Sequence, residues 1–302
     1  MKVTLIALTL AVALAGTAIV EDVNSPLMTQ EDVDSINAAQ DSWVASLDWL
    51  GDMTLGEARG YASTIIKPRT FPERNWGRLG DHVEVPSSFD SRKQWPNCIH
   101  PIVNQGQCGS CWAFGATEAL SDRFCIDSNG GTDVVLSPQY LVSCDSGSYG
   151  CDGGWPDQAW HFMEENGVPT WDCAPYHAQD GQCPSSCSDG SDFKLYHAAD
   201  VHTYSGPSSI QKAIMEGGPV ETAFTVYQDF MSYKSGVYKH TSGGVLGGHA
   251  VKIVGWGEQN GVRYWICANS WGGDWGIDGF FWIEFGQCGI DNQGVAGQAK
   301  HI

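Results

Sequence analysis

Cys111 follows the polar, glycine-rich run Gln105-Gly106-Gln107-Cys108-Gly109-Ser110 and precedes Trp112-Ala113-Phe114, which places a thiol at the start of a helix. The reactive form of a thiol is the thiolate. A helix N-terminus favours it through unpaired N–H groups and the positive end of the dipole. Phe114, Thr117, Leu120 and Phe124 recur at helical spacing, so one stripe of this helix can be buried and hold the sulfur rigidly. Nucleophilic chemistry also needs an imidazole to take the proton, a side chain to orient it, and donors for an oxyanion. His249, within Gly247-Gly248-His249-Ala250-Val251, and Asn269, within Ala268-Asn269-Ser270-Trp271-Gly272, meet the first two needs. On spacing alone, Cys108 and Cys111 also suit a redox dithiol, half a zinc site or a disulfide partner.

The elements around His249 and Asn269 bring them to one place. Residues 250–256 and 262–268 are apolar, β-branched or aromatic runs on either side of Asn260-Gly261, a strong hairpin turn signal. A ribbon closed there sets Asn269 opposite Lys252, with His249 three positions further toward the open end. That gap is about 10 Å along an ideal strand, and a bulge would shorten it.

Further motifs appear in order: Pro86-Ser87-Ser88-Phe89-Asp90, Gly218-Pro219-Val220-Glu221, Tyr233-Lys234-Ser235-Gly236-Val237-Tyr238 and Cys288-Gly289-Ile290. With them, residues 86–296 resemble the papain-like cysteine proteases, and most closely the cathepsin B branch. His249 and Asn269 lie roughly 140 and 160 positions after Cys111, as in that family. The resemblance implies an α+β, papain-like two-domain fold. A helical left half (85–195) and a β-barrel-like right half (196–302) would face each other across a cleft. It also implies roles: Cys111 the nucleophile, His249 the general acid and base, Asn269 its orienter, and Gln105 with the Cys111 N–H the oxyanion hole. Trp271 would shield the His249–Asn269 hydrogen bond from water.

The N-terminal residues read as processing segments. Residues 1–18 hold Lys2, an apolar run and small residues suited to cleavage, which is a signal peptide; the run is shorter than the ~20 residues that span a bilayer. Residues 19–84 form a separate unit with a helix start at Thr29-Gln30-Glu31-Asp32 and a second run, Trp43, Val44, Leu47 and Leu50, at helical spacing. Too small for a core of its own, this unit must pack on something else. By the resemblance it is an inhibitory propeptide lying across the cleft, and the zymogen is cut near Val85.

Eleven cysteines agree with an oxidising compartment. The family pattern pairs Cys98 with Cys125, Cys108 with Cys151, Cys144 with Cys183 and Cys173 with Cys187, leaving Cys267 and Cys288. The net charge of −19 does not favour nucleic acid, and from Val85 onward 10 Lys and Arg stand against 23 Asp and Glu. No metal or cofactor is expected, since the nine histidines show no ligand-like spacing to cysteine pairs. The expected partners are peptide and protein substrates, the chain's own propeptide and cystatin-like inhibitors. The enzyme is expected to be a monomer without a transmembrane anchor, in the secretory pathway, an acidic lysosome-like vesicle or the exterior.

Specificity departs from the cathepsin B pattern. That branch carries a long insertion with a histidine pair capping the far end of the cleft; here nine residues separate Cys173 from Cys183, and His177 is single. An endopeptidase with an open primed side is therefore expected. By the same resemblance Gly153 and Gly154 pair with the substrate backbone, and Gly248 and Trp271 are among the substrate-binding residues. Trp155, Pro156, Ala223 and Ala250 would wall the second pocket, and Gln293 would be a neutral floor that favours apolar side chains. Two rival classes remain: a catalytically silent binding relative, and a thiol–disulfide oxidoreductase using Cys108 and Cys111.

Overall fold

The computed structural model describes residues 22–66, 71–75 and 83–301. The signal peptide and part of the expected extended tail lie outside these. The N-terminal unit opens with α1 (Gln30–Ala39), started by a reciprocal cap in which Thr29 and Asp32 exchange side-chain and backbone hydrogen bonds. Strand β1 (Trp43–Ala45) and helix α2 (Leu55–Gly60) follow, the latter capped in the same way by Thr54 and Glu57. A helix through Trp43, Val44, Leu47 and Leu50 does not form. Trp43 and Ala45 are buried and Val44 is exposed, an alternation of two that a strand satisfies and a helix cannot. What selects the strand is a partner distant in sequence: Trp43 pairs with Gly236, and its ring packs on Tyr233 and Tyr238. Burying that ring is worth on the order of 3 kcal/mol.

The helical half begins with β2 (Phe89–Asp90) and the single turn α3 (Ser91–Gln94). Its centre is α4 (Cys111–Asp127), flanked by α5 (Pro138–Cys144) and α6 (Pro156–Glu165). Helix α4 is buried all round, not along one stripe, from Cys111 through Thr117 and from Ala119 through Cys125. Ala113, Gly115, Ala116 and Ala119 let neighbours approach it from every side.

The other half is a sheet: β3 (His197–Tyr204), helix α7 (Gly206–Gly217), β4 (Val220–Tyr227), β5 (Tyr233–Tyr238), β6 (Val245–Gln259), β7 (Val262–Ala268), β8 (Phe280–Glu284) and β9 (Gly294–Lys300). Its order is β1-β5-β8-β7-β6-β4-β9-β3, with β2 also on β6. The sheet is open, with β1 of the N-terminal unit at one end and β3 at the other. The β6–β7 turn forms at Asn260-Gly261, where both residues have positive φ, 54° and 80°. Its register corrects the simple ribbon. A shift between Ile253 and Gly255 sets Lys252 opposite Ala268, not Asn269, and so brings Asn269 one residue nearer to His249.

Four disulfides join Cys98 to Cys125, Cys108 to Cys151, Cys144 to Cys183 and Cys173 to Cys187, all in the helical half. Cys111, Cys267 and Cys288 carry free thiols.

Behind α4, the buried Lys252 ammonium lies 2.7 Å from Asp122 and 3.5 Å from Glu118. Burial raises the Glu118 carboxyl to about 7, against the pull of Lys252. A carboxyl whose pKa is raised on folding contributes stability that is complete below its unfolded pKa and is lost as pH rises through the folded value. Melting temperature should therefore fall between about pH 4.5 and 7, and Glu118→Gln should flatten that fall; equal slopes in both proteins would contradict it.

Candidate active site

Cys111 is the first residue of α4, fully buried, with its sulfur at the helix N-terminus. His249 lies on β6 and Asn269 just past the end of β7, and the two are joined by His249 Nε2 and Asn269 Oδ1 at 2.7 Å. The Ser270 N–H also donates to that oxygen, at 2.9 Å, and so fixes the carboxamide. With Nε2 engaged, Nδ1 is the imidazole nitrogen left for the sulfur, and no other group bonds it. Burial alone would raise the Cys111 thiol. The charge and hydrogen bond of His249, the Thr64 hydroxyl and the Ala250 N–H outweigh burial and bring it down to about 7 from 9.0. The Trp271 ring covers His249 at 4.7 Å between centroids.

Gln105 is buried and anchored by three groups. Its Oε1 accepts from Ser270 Oγ at 2.7 Å, its N–H donates to the Ser270 carbonyl, and its carbonyl accepts from Tyr176 Oη. Ser270 and Tyr176 are positioning residues that sequence reasoning missed. Ser270 had a signal, since it sits inside the Asn-Ser-Trp run; Tyr176 had none, because its role depends on where the Cys173–Cys187 loop folds.

The N-terminal unit fills the cleft. Thr64 Oγ1 lies 2.9 Å from Cys111 Sγ, and the Thr64 N–H donates to Gly248 O while the Ile65 N–H donates to Gly154 O. Gly153 has φ 119°, and a Cβ there would stand 2.1 Å from Ser63 O. At Gly248 a Cβ would stand 2.2 Å from Thr64 O. Only glycines leave room for this strand. Trp49 stacks on Trp271 at 5.5 Å and Tyr61 meets it edge-on, so the chain enters over Trp271 and leaves past Ile66.

Ile65 and Ile66 border a cavity of ≈ 430 Å³ with Pro156, Ala223, Cys288 and Gln293. The other two expected wall residues flank this cavity in the chain and the cleft: Trp155 directly precedes Pro156, and Ala250 follows His249. Ala250 is buried beside Cys111, which its N–H faces, and Trp155 precedes α6 and packs on Tyr149. Asp291 does not reach the cavity, because its Oδ2 accepts from Trp265 Nε1 and the Gly286 N–H. His177 is exposed, and its N–H donates to Gln139.

A helix-borne thiol facing a sheet-borne imidazole across a cleft defines a cysteine peptidase of the papain type. The papain family cysteine protease pattern matches residues 85–298, and the chain belongs to that family. Within it, several of the similar relatives are named cathepsin B-like. The chain is 41% identical over 287 residues to cathepsin B-like CP3 of Giardia intestinalis, covering 91% of this chain and 95% of that one. It is 48% identical over 248 residues to a gut-specific cysteine proteinase of Caenorhabditis elegans, covering 72% and 75%. Procathepsin B S9 from Trypanosoma congolense superposes with a TM-score of 0.86 at 33% identity, covering 91% of this chain and 99% of that one. The described structure is thus a cathepsin B-like cysteine proteinase with its prosegment in place.

Proposed function

We propose that Cys111 is the nucleophile of an endopeptidase that hydrolyses peptide bonds through a thioester, and that residues 19–84 hold it latent until a cut near Val85. The sulfur attacks the scissile carbonyl carbon, and the oxyanion takes hydrogen bonds from the Cys111 N–H and Gln105 Nε2. His249 Nδ1 gives its proton to the leaving amine, the C–N bond breaks and the acyl group stays on sulfur. His249 then takes a proton from water, the hydroxide attacks the thioester, and the acid and the thiolate are released. The observation that carries this reading is the His249–Asn269 pair, which leaves Nδ1 for a sulfur at a helix N-terminus. An oxidoreductase would need a second free thiol, and Cys108 is bonded to Cys151.

The prosegment reading rests on Thr64 at the sulfur. The short Cys173–Cys183 loop supports an open primed side, and the neutral Gln293 supports apolar side chains at the second position before the cut. The disulfides support maturation in the secretory pathway, ending in an acidic vesicle or outside the cell. Nothing in the acidic surface suits nucleic acid, and among the described residues no helix is long and apolar enough to cross a membrane. Monomeric action and cystatin-like inhibitors fit the family.

Internally quenched peptides test the specificity. Processed protein should cut internal bonds preceded by Leu or Phe at the second position about tenfold better than those with Arg, since one charge loses its partner there. Faster release of C-terminal dipeptides, or a preference for Arg, would contradict the reading.

A further inference from the structure

We propose that the surface uncovered when the prosegment leaves β3 is an exosite for an extended, arginine-bearing stretch of polypeptide substrate upstream of the scissile bond. It rests on the peptidase reading above.

Strand β3 ends the sheet, and residues 72–74 lie along its open edge. The Thr203 N–H donates to Pro72 O at 3.1 Å, and the Arg74 N–H donates to Thr203 O at 2.9 Å. The Arg74 guanidinium reaches Asp200 at 3.0 Å and Glu216 at 3.3 Å. Both carboxylates are placed for a cation. Asp200 sits at the bulge of β3 with φ 50°, which turns it toward the edge, and Glu216 is in the last turn of α7, where the helix dipole is negative. A third carboxylate, Asp127, lines the same ≈ 130 Å³ cavity. Of the cations nearby, Arg123 is buried and spends its guanidinium on the carbonyls of Pro219, Gly218, Ala213 and Gly297, His301 pairs with Asp127, and His202 faces Asp200 at 3.6 Å, so Asp200 and Glu216 are the two carboxylates that Arg74 takes. Once the prosegment is gone, Thr203 has an unpaired N–H and C=O beside an acidic pair. This suits an added strand that carries a cation.

The site is continuous with the cleft. Val295 lines the cavity beside Gln293 and pairs directly with Thr203. On the prosegment, Ile66 lines that cavity, Phe71 meets His161 edge-on and Arg74 bonds β3. A substrate running the opposite way through the cleft sends its upstream residues out on this side, so an arginine roughly eight residues before the pocket reaches Asp200 and Glu216.

The test uses processed enzyme and quenched peptides identical across the cleft. Long ones carry Arg or Gln at seven to ten residues before the pocket residue, and a short one lacks the extension. The expected result is a KM about fivefold lower for the Arg peptide, with kcat unchanged, and an advantage that is lost in Asp200→Asn/Glu216→Gln and at high salt. Equal KM values at every position while the short peptide is cut would overturn the exosite, as would an Arg advantage that survives the double substitution. Failure to cut even the short peptide would overturn the peptidase reading beneath it.

Discussion

Cys111→Ala should reduce peptide hydrolysis by processed enzyme to background, a loss on the order of 10⁶-fold in kcat as seen for removal of other acyl-transfer nucleophiles. The reason is local. The sulfur sits at the buried first residue of a helix, and the other two free thiols, Cys267 and Cys288, lie on other elements. Cys267 lies within β7, buried, with its pKa pushed well up by that burial, and Cys288, at about 12 for the same reason, borders the specificity cavity. Neither can replace a thiolate poised near 7. The substitution leaves the four disulfides and the packing around α4 unchanged, so the variant should fold and bind peptides. Initial rates on a fluorogenic peptide, with circular dichroism on the same sample, check this. Measurable Cys111-independent turnover by a folded variant would remove Cys111 from the chemistry.

Gln105→Ala should lower kcat by about 10²- to 10³-fold and change KM little, because an oxyanion donor acts on charge that develops only in the transition state. The carboxamide is preorganised. Ser270 Oγ holds its oxygen, and the amide nitrogen donates to Cys108 O at 3.0 Å, three residues before Cys111. A split in which KM rises and kcat holds would instead make Gln105 a substrate-binding residue. Wild-type values for both would take it out of the site.

Much of this was legible in the sequence because it is local. The thiol's place at a helix start, the Asn-Gly hairpin and the order of motifs need only neighbours along the chain, and they led to the family and the fold class. What was not legible depends on partners far away. Trp43–Ala45 is a strand because β5 offers an edge and an aromatic pocket, although Trp43, Val44, Leu47 and Leu50 keep helical spacing. The irregularity between Ile253 and Gly255, which moves Asn269 toward His249, has Gly255 as its local signal, but a glycine inside a strand run does not say which register the ribbon takes. Thr64, one threonine among several, acquires meaning only once the prosegment is threaded over Cys111. Tyr176 reaches the Gln105 carbonyl only because the loop between Cys173 and Cys187 folds back onto it, which no neighbour along the chain announces.

The central claim is that covalent chemistry occurs on Cys111 in a cleft read by an apolar pocket. The most direct measurement is mass spectrometry of processed enzyme treated with one equivalent of a peptidyl chloromethyl ketone carrying Leu at the second position. The account predicts one adduct, on the tryptic peptide holding Cys111, formed in step with loss of activity and absent in the zymogen, where Thr64 occupies the sulfur. Activity that persists after Cys111 is fully alkylated, or is lost while Cys111 stays unmodified, would contradict it.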